Sequence, residues 1–181
     1  YFKSEIESRR TYPAKDYLTL LADSKNDGGA VIPMDELLSI ITIDLLASGN
    51  ETTTAGLASG VLMLAKNARL QNDLRRNRDL IPNFVEEVLR LESPAQGMFR
   101  QATEDIVIGG YQFRVGDVLS LRFGAANRDE ETFSSPERIN LQRFKPGRHL
   151  AFGIGRHSCV GAPLARQELI KGFEAVIDRL E

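Results

Sequence analysis

The sequence of 181 residues has no tryptophan, a single cysteine and only two histidines. One cysteine excludes a disulfide within the chain, and an unpaired thiol suits a reducing compartment, so we expect a cytoplasmic protein. A strong excess of either charge is also missing, because 23 lysines and arginines stand against 25 aspartates and glutamates. Without a basic excess, nucleic acid is not expected as a partner.

Long hydrophobic runs are missing as well. No apolar stretch reaches the length of a transmembrane helix, so no membrane segment is expected in this chain. The first five residues do not resemble a signal peptide, and the first is tyrosine, so we expect the chain to begin inside a longer protein. What remains is 42% hydrophobic and 27% charged residues, which is typical of a globular chain with one sizeable core.

The first half of the chain has helical patterns. The sequence predicts a short amphipathic helix over residues 17–22, a polar helix over 69–76 and a further helix over 81–91. Pro33 and the acidic residues after it indicate a further helix start. The apolar stretches 37–46 and 55–65 are hydrophobic nearly all round, which predicts a long central helix that is buried on all sides.

The second half has strand and loop patterns. Alternating residues on either side of two glycines predict a β-hairpin over 106–113, and a further strand is predicted over 118–121. The charged stretch 127–147 predicts a long ordered loop. We therefore expect a mainly α fold with a small β region, which forms one partial domain over residues 1–181. Its parts are a helical part (about 15–92), a β and loop part (about 98–158), a cysteine loop (150–161) and a final helix (162–180).

The one cysteine lies in a glycine-rich decapeptide, Phe152-Gly153-Ile154-Gly155-Arg156-His157-Ser158-Cys159-Val160-Gly161. Glycine permits a tight loop and close approach of the backbone to a flat ligand. The helix that follows offers N–H groups that stabilise a thiolate. A lone cysteine is most often a small buried hydrophobe, but this setting is the one that an axial metal ligand requires.

A second signal interrupts the apolar helix. Residues 48–54, with the sequence SGNETTT, place small and polar groups where the pattern is otherwise apolar. Burial of the Glu51 carboxylate is costly unless it is paired or hydrated. Gly49 and the hydroxyl groups loosen the helical hydrogen bonds and favour a kink or an inserted water. Glu51 and Thr52 are therefore candidates for a proton relay, and a kink without catalysis is the alternative.

Both motifs resemble those of the cytochrome P-450 family. The haem-binding signature of that family, Phe-x-x-Gly-x-His/Arg-x-Cys-x-Gly, is matched at every fixed position, and its oxygen-activating motif, Ala/Gly-Gly-x-Glu/Asp-Thr, is matched except at Ser48. The resemblance covers residues from about 15 to 181. It implies the C-terminal portion of the cytochrome P-450 fold, closest in look to soluble bacterial members.

The resemblance also implies the roles of single residues around haem b. Cys159 would be the axial ligand of the iron, and Glu51 and Thr52 would deliver protons, with Gly49 leaving room for oxygen. The other positions that it implies at the cofactor are Phe152, Gly153 and Gly161 in the cysteine loop and His157 and Arg100 at the haem propionates.

A third pattern is Glu87 and Arg90, which share one helix face at i, i+3 and can pair. Such a pair is usually a solvated salt bridge of little consequence. The resemblance instead implies a buried pair that a further arginine completes. Arg138 matches the family pattern Pro-Glu-Arg, and Arg143 is a competing candidate. The triad would tie the long loop to the helix, and haem retention would depend on it.

The activity that the resemblance implies is insertion of one oxygen atom from O2 into a small hydrophobic organic substrate. Electrons would come from NAD(P)H through a ferredoxin or flavodoxin and its reductase, since the chain has no dinucleotide fingerprint. Lys145, Arg148 and Arg156 give the cysteine side a positive charge for such a donor. Two alternatives stay open: a haem-thiolate enzyme that uses peroxide or does non-oxygenase chemistry, and a truncated, non-catalytic haem-binding remnant.

Overall fold

The computed structural model describes residues 1–179, and the chain divides into two compact units, Tyr1–Glu51 and Thr52–Glu181. The helices are α1 (Phe2–Thr11), α2 (Tyr17–Ala22), α3 (Met34–Ser39), α4 (Ser48–Ala65), α5 (Ala68–Arg76), α6 (Ile81–Leu91), α7 (Phe123–Ala126) and α8 (Ala162–Ile177). A π-helical segment covers Ile40–Ala47, and 3-10 turns cover Arg78–Leu80, Pro146–Arg148 and Gly155–His157. The strands are β1 (Met98–Gln101), β2 (Ile106–Ile108), β3 (Tyr111–Phe113) and β4 (Val118–Leu121).

The first unit is a small helical body with its own core. Ile6 of α1, Leu21 of α2 and Leu37 of α3 are buried together with Ile41. The side chain of Asp16 caps α2, because its carboxylate accepts the Thr19 N–H at 2.9 Å. The cap gives a partner to one of the backbone N–H groups that the first turn of a helix leaves unpaired.

The predicted central helix is helical throughout but is not buried on all sides, so that part of the prediction is wrong. Ile43 and Leu46 of the π-helical segment are exposed, and the buried residues of α4 are Gly56, Gly60 and Leu64. These three recur every four residues, so they form one stripe rather than a full circumference. The backbone changes from π-helical to α-helical at residue 48, where the segment 48–54, predicted to favour a kink or an inserted water, begins.

The second unit is built around α6. Eight of the eleven residues of α6 are buried, and α8 packs on it through Phe84 and Phe173, whose rings meet edge to face at 5.0 Å. Helix α4 approaches α8 closely because glycine lies at the contact. A Cβ atom at Gly60 would overlap the Phe173 ring.

The strands form two small antiparallel sheets. The predicted hairpin is confirmed as β2 paired with β3, and Gly109 and Gly110 at its turn have φ of +58° and +84°. Both values lie in the left-handed region that two-residue hairpin turns require. The predicted strand 118–121 is confirmed as β4, and its partner β1 was not predicted.

The final helix begins where predicted and ends at Ile177, and the last predicted position, residue 180, lies outside the described residues. Within residues 1–179, no helix is long and apolar enough to cross a membrane.

Candidate functional site

The Cys159 thiol is free and exposed at the end of a loop that folds back on itself. The Cys159 N–H donates to the Phe152 carbonyl at 2.8 Å, and the Gly153 N–H donates to the Leu150 carbonyl at 2.9 Å. Gly153 and Gly155 have φ of +67° and +81°, values that residues other than glycine rarely adopt. The two glycines therefore turn the backbone so that the thiol is presented outward.

Gly161 has a different structural role from Gly153 and Gly155. Its φ of −79° is ordinary. Gly161 is the N-cap residue of α8, and its carbonyl accepts the Ala165 N–H at 2.9 Å. A Cβ atom at Gly161 would lie 3.8 Å from Cys159 Sγ. The sulfur thus lies beside the N-terminus of a 16-residue helix.

A charged cluster that the sequence did not predict lies under this loop. Arg166 donates from Nε and Nη2 to the Glu86 carboxylate at 2.6 and 3.1 Å, and His149 Nε2 lies 3.0 Å from Glu86 Oε2. The Arg166 guanidinium also stacks on the Phe152 ring, 4.5 Å from its centroid. Burial alone would raise the pKa of Glu86, but the bonds from His149 and Arg166 outweigh it and hold that pKa at about 2.

The Glu87–Arg90 pair is fully buried, and the arginine that completes it is Arg143. Arg90 donates from Nε and Nη2 to Glu87 at 2.7 and 3.0 Å, and Arg143 Nε donates at 2.8 Å. Burial would raise the pKa of Glu87, but the two guanidinium groups and the Asn140 N–H lower it.

The prediction that the Arg138 side chain completes the triad is wrong. Residues 135–138 form a turn in which the Arg138 N–H donates to the Ser135 carbonyl, and the Arg138 side chain is exposed. Its carbonyl accepts from Arg90 Nη2 at 3.1 Å, so the backbone of Arg138 joins the network while its guanidinium does not.

Asn127 is a further buried residue that the sequence did not single out. Its carbonyl accepts from Arg90 Nη1 at 3.0 Å, its amide donates to Ser93 Oγ at 2.9 Å, and its Oδ1 accepts the Leu150 N–H at 2.6 Å. It therefore connects the buried triad to the first residue of the cysteine loop. No local sequence pattern marks such a residue.

The oxygen-motif residues Gly49, Glu51 and Thr52 lie in the first turns of α4. Glu51 is the last residue of the first unit, and Thr52 is the first residue of the second. Glu51 is exposed, and the space beside Gly49 is open for at least 4 Å. The next residue, Thr53, donates from Oγ1 to Glu168 of α8 at 3.2 Å. That bond links the helix of the oxygen motif to the helix that follows the cysteine.

The two predicted propionate ligands are exposed side chains on separate elements. Arg100 lies in β1, where its Nη1 donates to the Phe99 carbonyl at 2.8 Å. His157 lies in the 3-10 turn two residues before Cys159. Within the described part of the chain, no hydrogen bond joins Arg100 to the cysteine loop.

The chain resembles known proteins over nearly its whole length. The sequence model of the cytochrome P-450 family matches residues 2–181. The chain belongs to this family. It is 39% identical over 168 residues to cytochrome P-450 109 of Bacillus spizizenii, covering 93% of this chain and 41% of that protein. It is 37% identical over 180 residues to the steroid C26-monooxygenase of Mycobacterium tuberculosis strain H37Rv, covering 99% of this chain and 44% of that protein.

Solved cytochrome P-450 structures have the same fold over the length of this chain. CYP109E1 of Bacillus megaterium, crystallised with corticosterone, matches with a TM-score of 0.90 at 38% identity, covering 99% of this chain and 48% of that one. Substrate-free CYP150A6 of Mycobacterium marinum matches with a TM-score of 0.92 at 38% identity, covering 99% of this chain and 44% of that one. The chain therefore spans less than half the length of the relatives it matches.

The residues present fit a haem. Cys159 offers one accessible thiol in an outward-facing loop at a helix N-terminus, and this donor suits iron that a porphyrin already holds on four sides. Among residues 1–179 no cluster of three or more histidine, cysteine or acidic side chains is placed to hold a metal ion by itself. Ile154 and Val160, which are 80% and 98% exposed, provide apolar surface beside the thiol.

Proposed function

We propose that the protein is a haem-thiolate monooxygenase that inserts one oxygen atom from O2 into a small hydrophobic substrate. The observation that carries the proposal is the exposed Cys159 thiol, held by left-handed glycines at the N-terminus of α8 in a member of the cytochrome P-450 family. Haem b bound to a thiolate supplies cleavage of the O–O bond. A named relative, the steroid C26-monooxygenase, supports the reaction class.

The residues of the cysteine loop would hold the cofactor. Cys159 would bind the iron, and the Phe152 carbonyl, which accepts the Cys159 N–H, would fix the backbone beside the sulfur. Gly153 and Gly161 let the loop lie close to the porphyrin. His157 and Arg100 would neutralise the two propionates by charge-assisted hydrogen bonds.

The first turn of α4 would handle protons. Glu51 is exposed, so its carboxylate can exchange protons with water, and the Thr52 hydroxyl, one residue further on, can hold a proton for transfer at its Oγ1. Gly49 adds no side chain to the open space there. We infer that this pair supplies the protons that oxygen activation consumes.

The electron donor would be a ferredoxin or flavodoxin, which its reductase supplies from NAD(P)H. Exposed Phe144, Lys145, Arg148 and Arg156 lie in the segments before and within the cysteine loop. Their positive charge attracts an acidic partner, and the apolar ring supplies contact area. The unpaired thiol of Cys159 suits the cytoplasm.

The test is the spectrum of the reduced carbon monoxide complex of the complete, haem-loaded protein. We expect Cys159→Ala to abolish the red-shifted thiolate band, and Ser158→Ala, a matched change at the neighbouring exposed residue, to keep it. Incorporation of labelled oxygen from O2 into a product, from a panel of small hydrophobic compounds that includes corticosterone, tests the reaction class. A thiolate band that survives Cys159→Ala overturns the assignment.

A further inference from the structure

The Glu86 carboxylate is held from both ends of the cysteine loop. His149 directly precedes that loop, and Arg166 lies in the second turn of α8, directly after it. Glu86 Oε1 accepts from Arg166 Nε at 2.6 Å, and Glu86 Oε2 lies 3.0 Å from His149 Nε2. One side chain of α6 therefore fixes the entry and the exit of the segment that carries Cys159.

His149 makes two hydrogen-bond contacts that orient its ring. The Ala151 N–H donates to His149 Nδ1 at 3.2 Å, and His149 Nε2 lies 3.0 Å from Glu86 Oε2. The Glu86 carboxylate and the Arg166 guanidinium form a salt bridge, in which the two opposite charges compensate each other.

Arg166 reaches the cysteine loop through Phe152. Its guanidinium lies on the Phe152 ring, and the Phe152 carbonyl accepts the Cys159 N–H. The hydrogen bond to Glu86 raises the pKa of Arg166, and the negative charge of Cys159 raises that pKa further. Arg166 therefore binds Glu86 directly and interacts with Cys159 only through its electric field.

We propose that Glu86 is a positioning residue for the thiolate ligand: it holds Arg166 on Phe152 and cancels its charge, and so keeps the reduction potential of the bound haem low. This inference rests on the proposed function. If Glu86 lost its negative charge, the positive charge of Arg166 would act on the Cys159 sulfur without being compensated. The sulfur would then donate less electron density to the iron, and the iron would be reduced more easily.

The experiment measures the reduction potential of the haem in the complete protein. Glu86→Gln keeps the shape of the side chain and removes its charge, and we expect a several-fold rise in the ratio of reduced to oxidised haem at a fixed potential. A tenfold rise corresponds to about 59 mV for one electron. Arg166→Gln should shift the ratio the opposite way. Glu174→Gln, which removes a paired carboxylate elsewhere on α8, is the control and should change nothing.

The double variant Glu86→Gln/Arg166→Gln separates charge from structure, since both charges are then absent and the potential should return toward that of the unmutated protein. Unchanged potentials, or shifts of one sign in both single variants, would overturn the proposal while an intact thiolate band leaves the proposed function standing. A missing thiolate band in the unmutated protein would instead overturn the proposed function. If Glu86→Gln yields no haem-loaded protein, Arg166→Gln decides alone: a fall in the ratio supports the proposal, and no change overturns it.

Discussion

At the scale of single residues, two adjacent carboxylates on α6 bind different sets of side chains. Glu86 binds His149 and Arg166, whereas Glu87 binds Arg90 and Arg143. Glu87 is fully buried and Glu86 is largely so, and each therefore depends on its polar and charged partners to stay ionised. Removal of any one cation is then more damaging than the loss of a surface salt bridge would be.

Arg90→Ala should destabilise the complete protein by about 3–5 kcal/mol, because it leaves Glu87 with one partner fewer in a buried site. It also leaves the carbonyls of Asn127 and Pro136 without the donor they share, Arg90 Nη1. We expect little bound haem, measured by absorbance, and a lower free energy of unfolding in urea. Arg138→Ala is the control, since its exposed side chain should matter by less than about 0.5 kcal/mol. Full haem loading in Arg90→Ala would contradict the expectation.

The low pKa of Glu86 predicts a pH window for stability. The pKa is about 2 in the folded protein against an ordinary value of 4.5, so the folded state favours the ionised carboxylate. The stabilisation is complete above about pH 4.5 and is lost as the pH falls toward 2. The difference in unfolding free energy between the unmutated protein and Glu86→Gln should therefore be constant near neutral pH and shrink over that range. A difference that grows in acid would contradict the assignment.

The sequence predicted these residues unevenly. Glu87 and Arg90 could be paired because they lie at i, i+3 on one helix. Arg143 could not be separated from Arg138, since both belong to a loop without periodicity and the turn geometry decides which side chain points inward. Glu86, His149 and Arg166 are far apart in the sequence, so only the fold brings them together.

At the scale of elements, glycine sets the distance between α4 and α8. Gly60 faces the buried ring of Phe173, and on α8 a Cβ atom at Gly172 would lie 2.5 Å from Leu57. Close approach of this kind positions the helix of the oxygen motif against the helix that begins after the cysteine. The Thr53–Glu168 hydrogen bond spans the same pair of helices.

Gly60→Ala should cost about 1–3 kcal/mol, because the new methyl group overlaps a ring that has nowhere to move. Gly56→Ala is the matched control on the same helix. Its Cβ atom would lie 3.2 Å from the flexible end of Leu169, and the gain in helix propensity offsets that contact. Thermal unfolding of both variants in the complete protein gives the comparison, and equal stability of the two would show that the helix spacing can adjust.

The elements that the sequence predicted are those with a strong local pattern. Helix α6 and the β2–β3 hairpin have sharp boundaries, set by Pro82 and by the Gly109-Gly110 turn. Helix α1 was not predicted, because it has only two apolar residues, Phe2 and Ile6. Burial of Ile6 in the core of the first unit stabilises this helix. Strand β1 is four residues long and exposed, so its pairing with β4, rather than its own sequence, makes it a strand.

At the scale of the whole molecule, a large apolar surface lies open in the second unit. Both small sheets expose large side chains, including Phe99, Val107, Tyr111 and Val118. Two-stranded sheets need packing against another layer to be stable in water. The relatives are more than twice as long as this chain, so their structures contain protein that this chain does not supply.

Residues 1–181 expressed alone should therefore associate and hold haem poorly. The physical reason is the exposed apolar surface on the strands and beside Cys159, which favours self-association in water. Light scattering after size exclusion, with haem content measured on the same sample, gives the result. A monomer with one haem per chain would contradict it and would show that this chain is sufficient for the fold and for the cofactor.

The adjacency of Glu86 and Glu87 on α6 has a consequence for insertions and deletions. Successive residues of an α-helix point about 100° apart, so each carboxylate faces its own set of cations only while the helical register is kept. A single residue added or removed between Pro82 and Glu86 would turn both carboxylates away from their partners together. Length changes should therefore be absent from this helix in functional variants, while the exposed turn at Gly109-Gly110 should accept them.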